Sequence, residues 1–193
     1  MIEVDGHPVT PESDVLFALL LFLSSSAGQT IARSDLLDLL WPESSPTVAR
    51  HRLRQALYQL KKLGAPLDTP DSVVAVKEAE VEWDYVTYSR SRQAVVRSAY
   101  EATRLDYLPH YAPTFSLRFA RWVETERDRV SGTLRGCLLA AIAEARTRGD
   151  HAEIVALARA CLHLDPLSGE ATFALAESLA VSGSRGEALG VLD

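Results

Sequence analysis

The chain has 193 residues, room for one large domain or two of about a hundred residues each. Its 47% apolar and 24% charged content describes a folded globular protein and excludes a disordered one. A formal charge of −6 excludes a broad positive field, and two cysteines, Cys137 and Cys161, exclude a disulfide-stapled secreted scaffold and point to a reducing cytoplasm.

The opening MIEVDGHPV alternates around Asp5-Gly6, a favoured turn pair, and predicts a short hairpin. Val15 to Leu23 (VLFALLLFL), followed by SSSAG, has the look of a signal-peptide core. Residues 1–14 carry Glu3, Asp5, Glu12 and Asp14 but no Lys or Arg, and a signal peptide needs a positive start. The apolar run is also far short of the ~20 residues that span a bilayer. The better reading is a buried helix from about Glu12 to Ser24, apolar nearly all round, and no membrane association is expected. Gly28 ends the connection, Ile31-Ala32 adds a short strand, and Ser34 is expected to cap a second helix, Asp35 to Leu40. Pro42 stops that helix, with Trp41 expected to anchor the turn that follows.

Ser45-Pro46 opens a third helix with a cap residue and a proline at the first helical position, and Gly64 and Pro66 close it. Ser45 to Gly64 (SPTVARHRLRQALYQLKKLG) holds Arg50, Arg52, Arg54, Lys61 and Lys62 and no acid. The other 15 cations of the chain face 26 carboxylates, a net −11. At 100° per residue Leu53, Ala56, Leu57, Leu60 and Leu63 form a core stripe. The opposite side collects Thr47, His51, Arg54, Gln55, Tyr58 and Lys62, with Arg50 and Lys61 on its flank. Cations meet phosphates, Arg and Gln reach guanine and adenine edges, and a helix fits the major groove. Beyond it, Val73–Val76 and Ala79 to Trp83 predict a hairpin around Lys77-Glu78. Two helices, a basic helix and a hairpin in that order are the layout of a winged helix-turn-helix. The expected wing is acidic, with Asp68, Asp71, Glu78, Glu80, Glu82 and Asp84 against Lys77, so non-specific affinity should be modest and strongly salt-sensitive.

After about Arg90 the pattern is helical. RQAVVRSAYEATRL is one candidate helix, LPHYAPT a linker or corner, and helical periodicity then runs from Leu117 to Gly149. Arg148–Ala158 and Ser182–Leu192 align at an offset of 34 residues, Gly149 on Gly183 and Glu153 on Glu187. That is the period of the tetratricopeptide (TPR) helix pair. On this alignment the chain stops inside the second helix of a second repeat, and the array reads as unfinished.

No phosphate-binding glycine loop precedes Lys61, Lys62 or Lys77, no nucleophile motif appears, and the five histidines and two cysteines lack metal-ligand spacing. No catalytic residue, cofactor or metal is expected. Cys137 and Cys161, each twelve residues from Gly149, read as small residues that let helices pack. Trp122, Tyr107 and Phe115 are expected to pack the first helices of the array or its junction with the winged helix.

SDLLDLLWPESSPTVARHRLRQALYQLKKLG, SVVAVKEAEVEWDYVTYSRS and RFARWVETERDRV together resemble the Streptomyces antibiotic regulatory protein (SARP) type, with its bacterial transcriptional activator domain (BTAD). The resemblance covers nearly the whole chain. It implies a mainly α protein with a small β component: an OmpR-type winged helix-turn-helix over residues 1–90, then a TPR-like activator domain over 91–193. It also implies a cytoplasmic activator, often dimeric, that binds repeated promoter sites on double-stranded DNA and recruits RNA polymerase. The match places groove contact on Arg50, His51, Arg54, Gln55, Tyr58, Lys61 and Lys62, and the helical wheel adds Thr47. The alternative is a protein-interaction adaptor whose winged helix no longer binds DNA and whose helical array offers a partner groove.

Overall fold

A computed structural model describes residues 2–4, 7–9, 11–77, 82, 91–99 and 106–192. The protein is mainly helical with a small β component, as the sequence predicts. It divides into two units, Met1–Glu82 with Tyr111–Glu124, and Trp83–His110 with Thr125–Asp193.

In the first unit β1 (Ile2–Val4) and β2 (His7–Val9) pair antiparallel, Val4 opposite His7; the expected turn at Asp5-Gly6 lies outside the described residues. Helix α1 runs Asp14–Ser25. It starts two residues later than expected because the Ser13 hydroxyl accepts from the Leu16 N–H at 3.3 Å and so caps the first turn. Leu16, Leu19, Leu21 and Leu23 are buried along with Ala18 and Leu20, a distribution that makes α1 the central packing helix.

Strand β3 (Thr30–Ala32) runs straight into α2 (Arg33–Leu40). Ser34 is not the cap expected of it. Ala32 holds that position without a side-chain bond, and the helix begins at Arg33, whose N–H donates to the Ser72 carbonyl at 3.0 Å. Ser34 sits inside the helix and donates to Asp35 Oδ1 instead. Helix α3 spans Pro46–Lys62, with proline in its first turn and Leu63 as its C-cap. Strands β4 (Leu67–Asp68) and β5 (Val73–Val76) complete an antiparallel sheet of order β3-β5-β4. The expected strand at Val73 is therefore the middle one, pairing Ile31 with Val74 on one side and Leu67 with Val76 on the other. Of its expected partner, Ala79 to Trp83, only Glu82 is among the described residues, exposed and not in a strand.

Residues 111–124 also belong to this unit. Ser116, 3% exposed, donates to the Leu39 carbonyl and accepts from the Phe119 N–H. It thereby caps α5 (Leu117–Arg148) and ties its start to the end of α2. Phe119 is fully buried and stacks on Phe115 and Trp122, while Trp122 meets Phe22 edge-on and Tyr111 meets Phe17. Trp122 and Phe115 thus pack within the first unit rather than within the array. Burial, with Asp14 adding to it, pushes the Tyr111 hydroxyl up to about 12.

The second unit contains α4 (Arg92–Ala99), most of α5, α6 (His151–Leu164), α7 (Gly169–Val181) and α8 (Arg185–Gly190). The rest of the expected helix, residues 100–105, lies outside the described residues. The core joins Val130, Leu134, Leu138 and Ile142 of α5 to Ile154 and Leu157 of α6 and Leu175 and Leu179 of α7. The LPHYAPT corner forms as a turn at Leu108 and His110, both at positive φ, and Arg127 of α5 donates to the Tyr107 and Leu108 carbonyls beside it.

The 34-residue offset has local structural counterparts. Gly149 (φ 68°) and Gly183 (φ 90°) both take left-handed turns, Asp150 and Ser184 are both N-cap residues, and Ile154 and Ala188 are both buried. At this offset α8 corresponds to α6. Both cysteines are free; Cys161 is buried and Cys137 half-buried. Burial pushes the Cys161 thiol up.

Candidate nucleic-acid interface

Helix α3 acquires its two faces from the spacing of its apolar residues. Ala49, Leu53, Ala56, Leu57 and Leu60 are buried, so three sides of each turn are left to polar groups. Leu63 is the C-cap and only half-buried, and Ala49 takes its place in the stripe. Thr47, Arg50, His51, Arg54, Gln55, Tyr58, Lys61 and Lys62 are all exposed. The structure therefore brings all eight expected residues onto the outer side of one 17-residue helix, about 25 Å long.

The cations are held by neutral groups. Arg52 donates to the Ser44 hydroxyl at 3.1 Å, Lys61 donates to the Thr69 hydroxyl at 2.6 Å, and the Lys62 ammonium lies 5.7 Å from the Tyr58 ring centroid. None of these partners cancels a charge. Among the described residues none of Arg50, Arg52, Arg54, Lys61 and Lys62 forms an ion pair with a carboxylate. The arginines of the second unit behave differently. Arg129 pairs with Glu126, Arg135 with Asp165, Arg146 with Glu177, Arg148 with Glu153 and Arg159 with Glu187, at 2.6 to 3.4 Å. Among the described residues, then, α3 gathers five cations with no carboxylate partner on one helix, whereas these five arginines of the second unit each have one. Lys61 and Lys62 also sit in the last turn of α3, where the helix dipole favours positive charge.

Three further exposed residues of α3 lie beside the expected set. Arg52 adds a cation on the flank opposite Arg50 and Lys61. Gln59 follows Gln55 by one helical turn, and Val48, 44% exposed, is apolar on an otherwise polar side. The helical wheel could have found Gln59, which lies 40° from Gln55 at 100° per residue. The Arg52–Ser44 bond depends on how the turn before α3 folds back, which no spacing reveals.

Thr69, in the β4–β5 connection, receives Lys61 on its hydroxyl and Arg33 on its carbonyl at 3.4 Å. The sheet connection is thereby tied to both α2 and α3. Asp68 in β4, Asp71 in the turn before β5 and Glu82 are exposed; Glu78, Glu80 and Asp84 lie outside the described residues. Among the described residues no three His, Cys, Asp or Glu side chains are grouped to hold a metal ion. No described helix is long and apolar enough to cross a membrane. No protein-family model matches the chain, and no curated protein matches it in sequence.

Proposed function

We propose that the protein is a DNA-binding transcriptional regulator that lays α3 in the major groove. The observation that carries this reading is the set of five exposed α3 cations, on one helix with no acid of its own, that have no carboxylate partner among the described residues. Leaving charge unneutralised on one surface suits a polyanion, because each cation that meets a phosphate releases a condensed counterion. On this reading α2, α3 and the β3-β5-β4 sheet form a winged helix-turn-helix of the SARP kind. The helices α6 to α8 begin a TPR-like array that serves dimerisation or contact with RNA polymerase. The exposed acids Asp68 and Asp71 beside β4 and β5 turn that side of the sheet away from phosphate, so affinity is concentrated on α3.

The test is titration of the full chain with random-sequence duplex DNA at about 50 mM salt, beside the variant Arg50→Ala/Arg54→Ala/Lys62→Ala. Binding by the parent that collapses in the variant supports the reading. A folded parent that leaves duplex unbound refutes it and favours the adaptor. That second reading draws on one observation: Phe173, Val181 and Leu189 of the second unit stand 62%, 63% and 67% exposed, the kind of apolar surface that takes a protein partner.

A further inference from the structure

The charges of α3 ring an uncharged patch. Arg50, Arg52 and Arg54 precede it and Lys61 and Lys62 follow it. Arg52 and Lys61 are separated by about 14 Å along the axis. Arg50, Arg54 and Lys61 also line one flank while Arg52 lines the other, so phosphates on both sides of a groove can be met at once. Inside the ring the exposed residues are Gln55, Tyr58 and Gln59. The Lys62 ammonium lies over the Tyr58 ring. The two glutamine side chains are exposed, one helical turn apart, and neither amide is engaged by another group among the described residues. A primary amide presents a donor and an acceptor side by side, which is the complement of the N7 acceptor and N6 donor on the major-groove edge of adenine.

Resting on the DNA-binding reading, we propose that Gln55 and Gln59 are the specificity-determining residues of α3 and that each selects an adenine in the major groove. Surrounding cations that meet phosphate hold the helix in place without carrying sequence information, and the amides at the centre supply the choice of adenine. Neighbouring turns of one helix face place the two side chains about 5–6 Å apart, within reach of adenines one or two base steps apart.

The experiment starts from duplexes that the full-length protein selects out of a random library. Each adenine in turn is replaced by 7-deazaadenine, which keeps Watson–Crick pairing and removes the N7 acceptor. Binding of the parent, Gln55→Ala and Gln59→Ala is then measured at one salt concentration. The expected result is a loss of about fivefold or more at one or two adenines in the parent. At each such adenine the penalty vanishes in one glutamine variant and persists in the other. Both positions are exposed, and unchanged circular dichroism verifies that the variants fold. Selected sites lacking a preferred adenine, or penalties that persist in both variants, overturn the assignment while leaving DNA binding intact. Failure of the parent to select any duplex overturns the DNA-binding reading and this one with it.

Discussion

The number of unneutralised cations on α3 sets how steeply DNA binding should fall with salt. The partners of Arg52 and Lys61 are the Ser44 and Thr69 hydroxyls, so all five cations keep their full charge and all five can displace counterions. With a contribution of about 0.9 per phosphate contact, log Kobs against log salt should slope at about −4.5 when all five engage. Between 50 and 200 mM salt that slope weakens binding about 500-fold. Removing Arg50, Arg54 and Lys62 leaves two contacts, a slope of about −1.8 and a loss of only about 12-fold over the same range. Each single Ala variant should lower the slope by about one. Fluorescence anisotropy of a labelled duplex across a salt series measures all five proteins directly. A parent whose binding ignores salt, or a triple variant that keeps the parent's slope, would refute the argument. In either case α3 would be a solvated basic face and no more.

Phe119→Ala removes the centre of an aromatic stack and should cost about 3–5 kcal/mol, read as a lower urea midpoint of the first transition in Trp fluorescence; a midpoint within error of the parent would mean that 111–124 does not stabilise the first unit. Gly149→Ala and Gly183→Ala meet no atom within 4 Å but place a β-carbon at positive φ, so each should lose about 1–2 kcal/mol by thermal melting. Under native conditions a maleimide should label half-buried Cys137 quickly and buried Cys161 only on unfolding, checked by mass spectrometry of tryptic peptides; burial also keeps the Cys161 thiol protonated. Tyr111 ionises at about 12 in the fold and about 10 when unfolded. The unfolded chain therefore releases that proton first, and stability held below pH 10 should drain away between about 10 and 12. Comparing pH-dependent urea midpoints with those of Tyr111→Phe isolates this loss.

Much of this protein is legible in its sequence because the signals are local. The buried side of α3 follows from Leu53, Ala56, Leu57 and Leu60, and a stripe at helical spacing leaves the intervening residues exposed in any fold that buries it. The cation-rich outer side follows from the same arithmetic, and so do all eight candidate contact residues. The two glycine turns of the 34-residue offset are equally local, since Gly149 and Gly183 adopt a conformation that other residues resist.

Other features were decided only when distant segments met. Ser34 has the chemistry of a cap but lies inside the helix, which begins at Arg33, where the N–H donates to the carbonyl of Ser72, far along the chain. Val73–Val76 becomes a central strand because residues 30–32 and 67–68 both reach it. Phe115, Phe119 and Trp122 join the first unit because Phe22, Tyr111 and the Leu39 carbonyl wait there. The sequence by itself determined which residues of α3 face outward and that they are basic, since periodicity needs no partner. The tertiary structure alone decided which of those cations would be neutralised. An ion pair depends on where a remote carboxylate comes to rest, and composition says nothing of that.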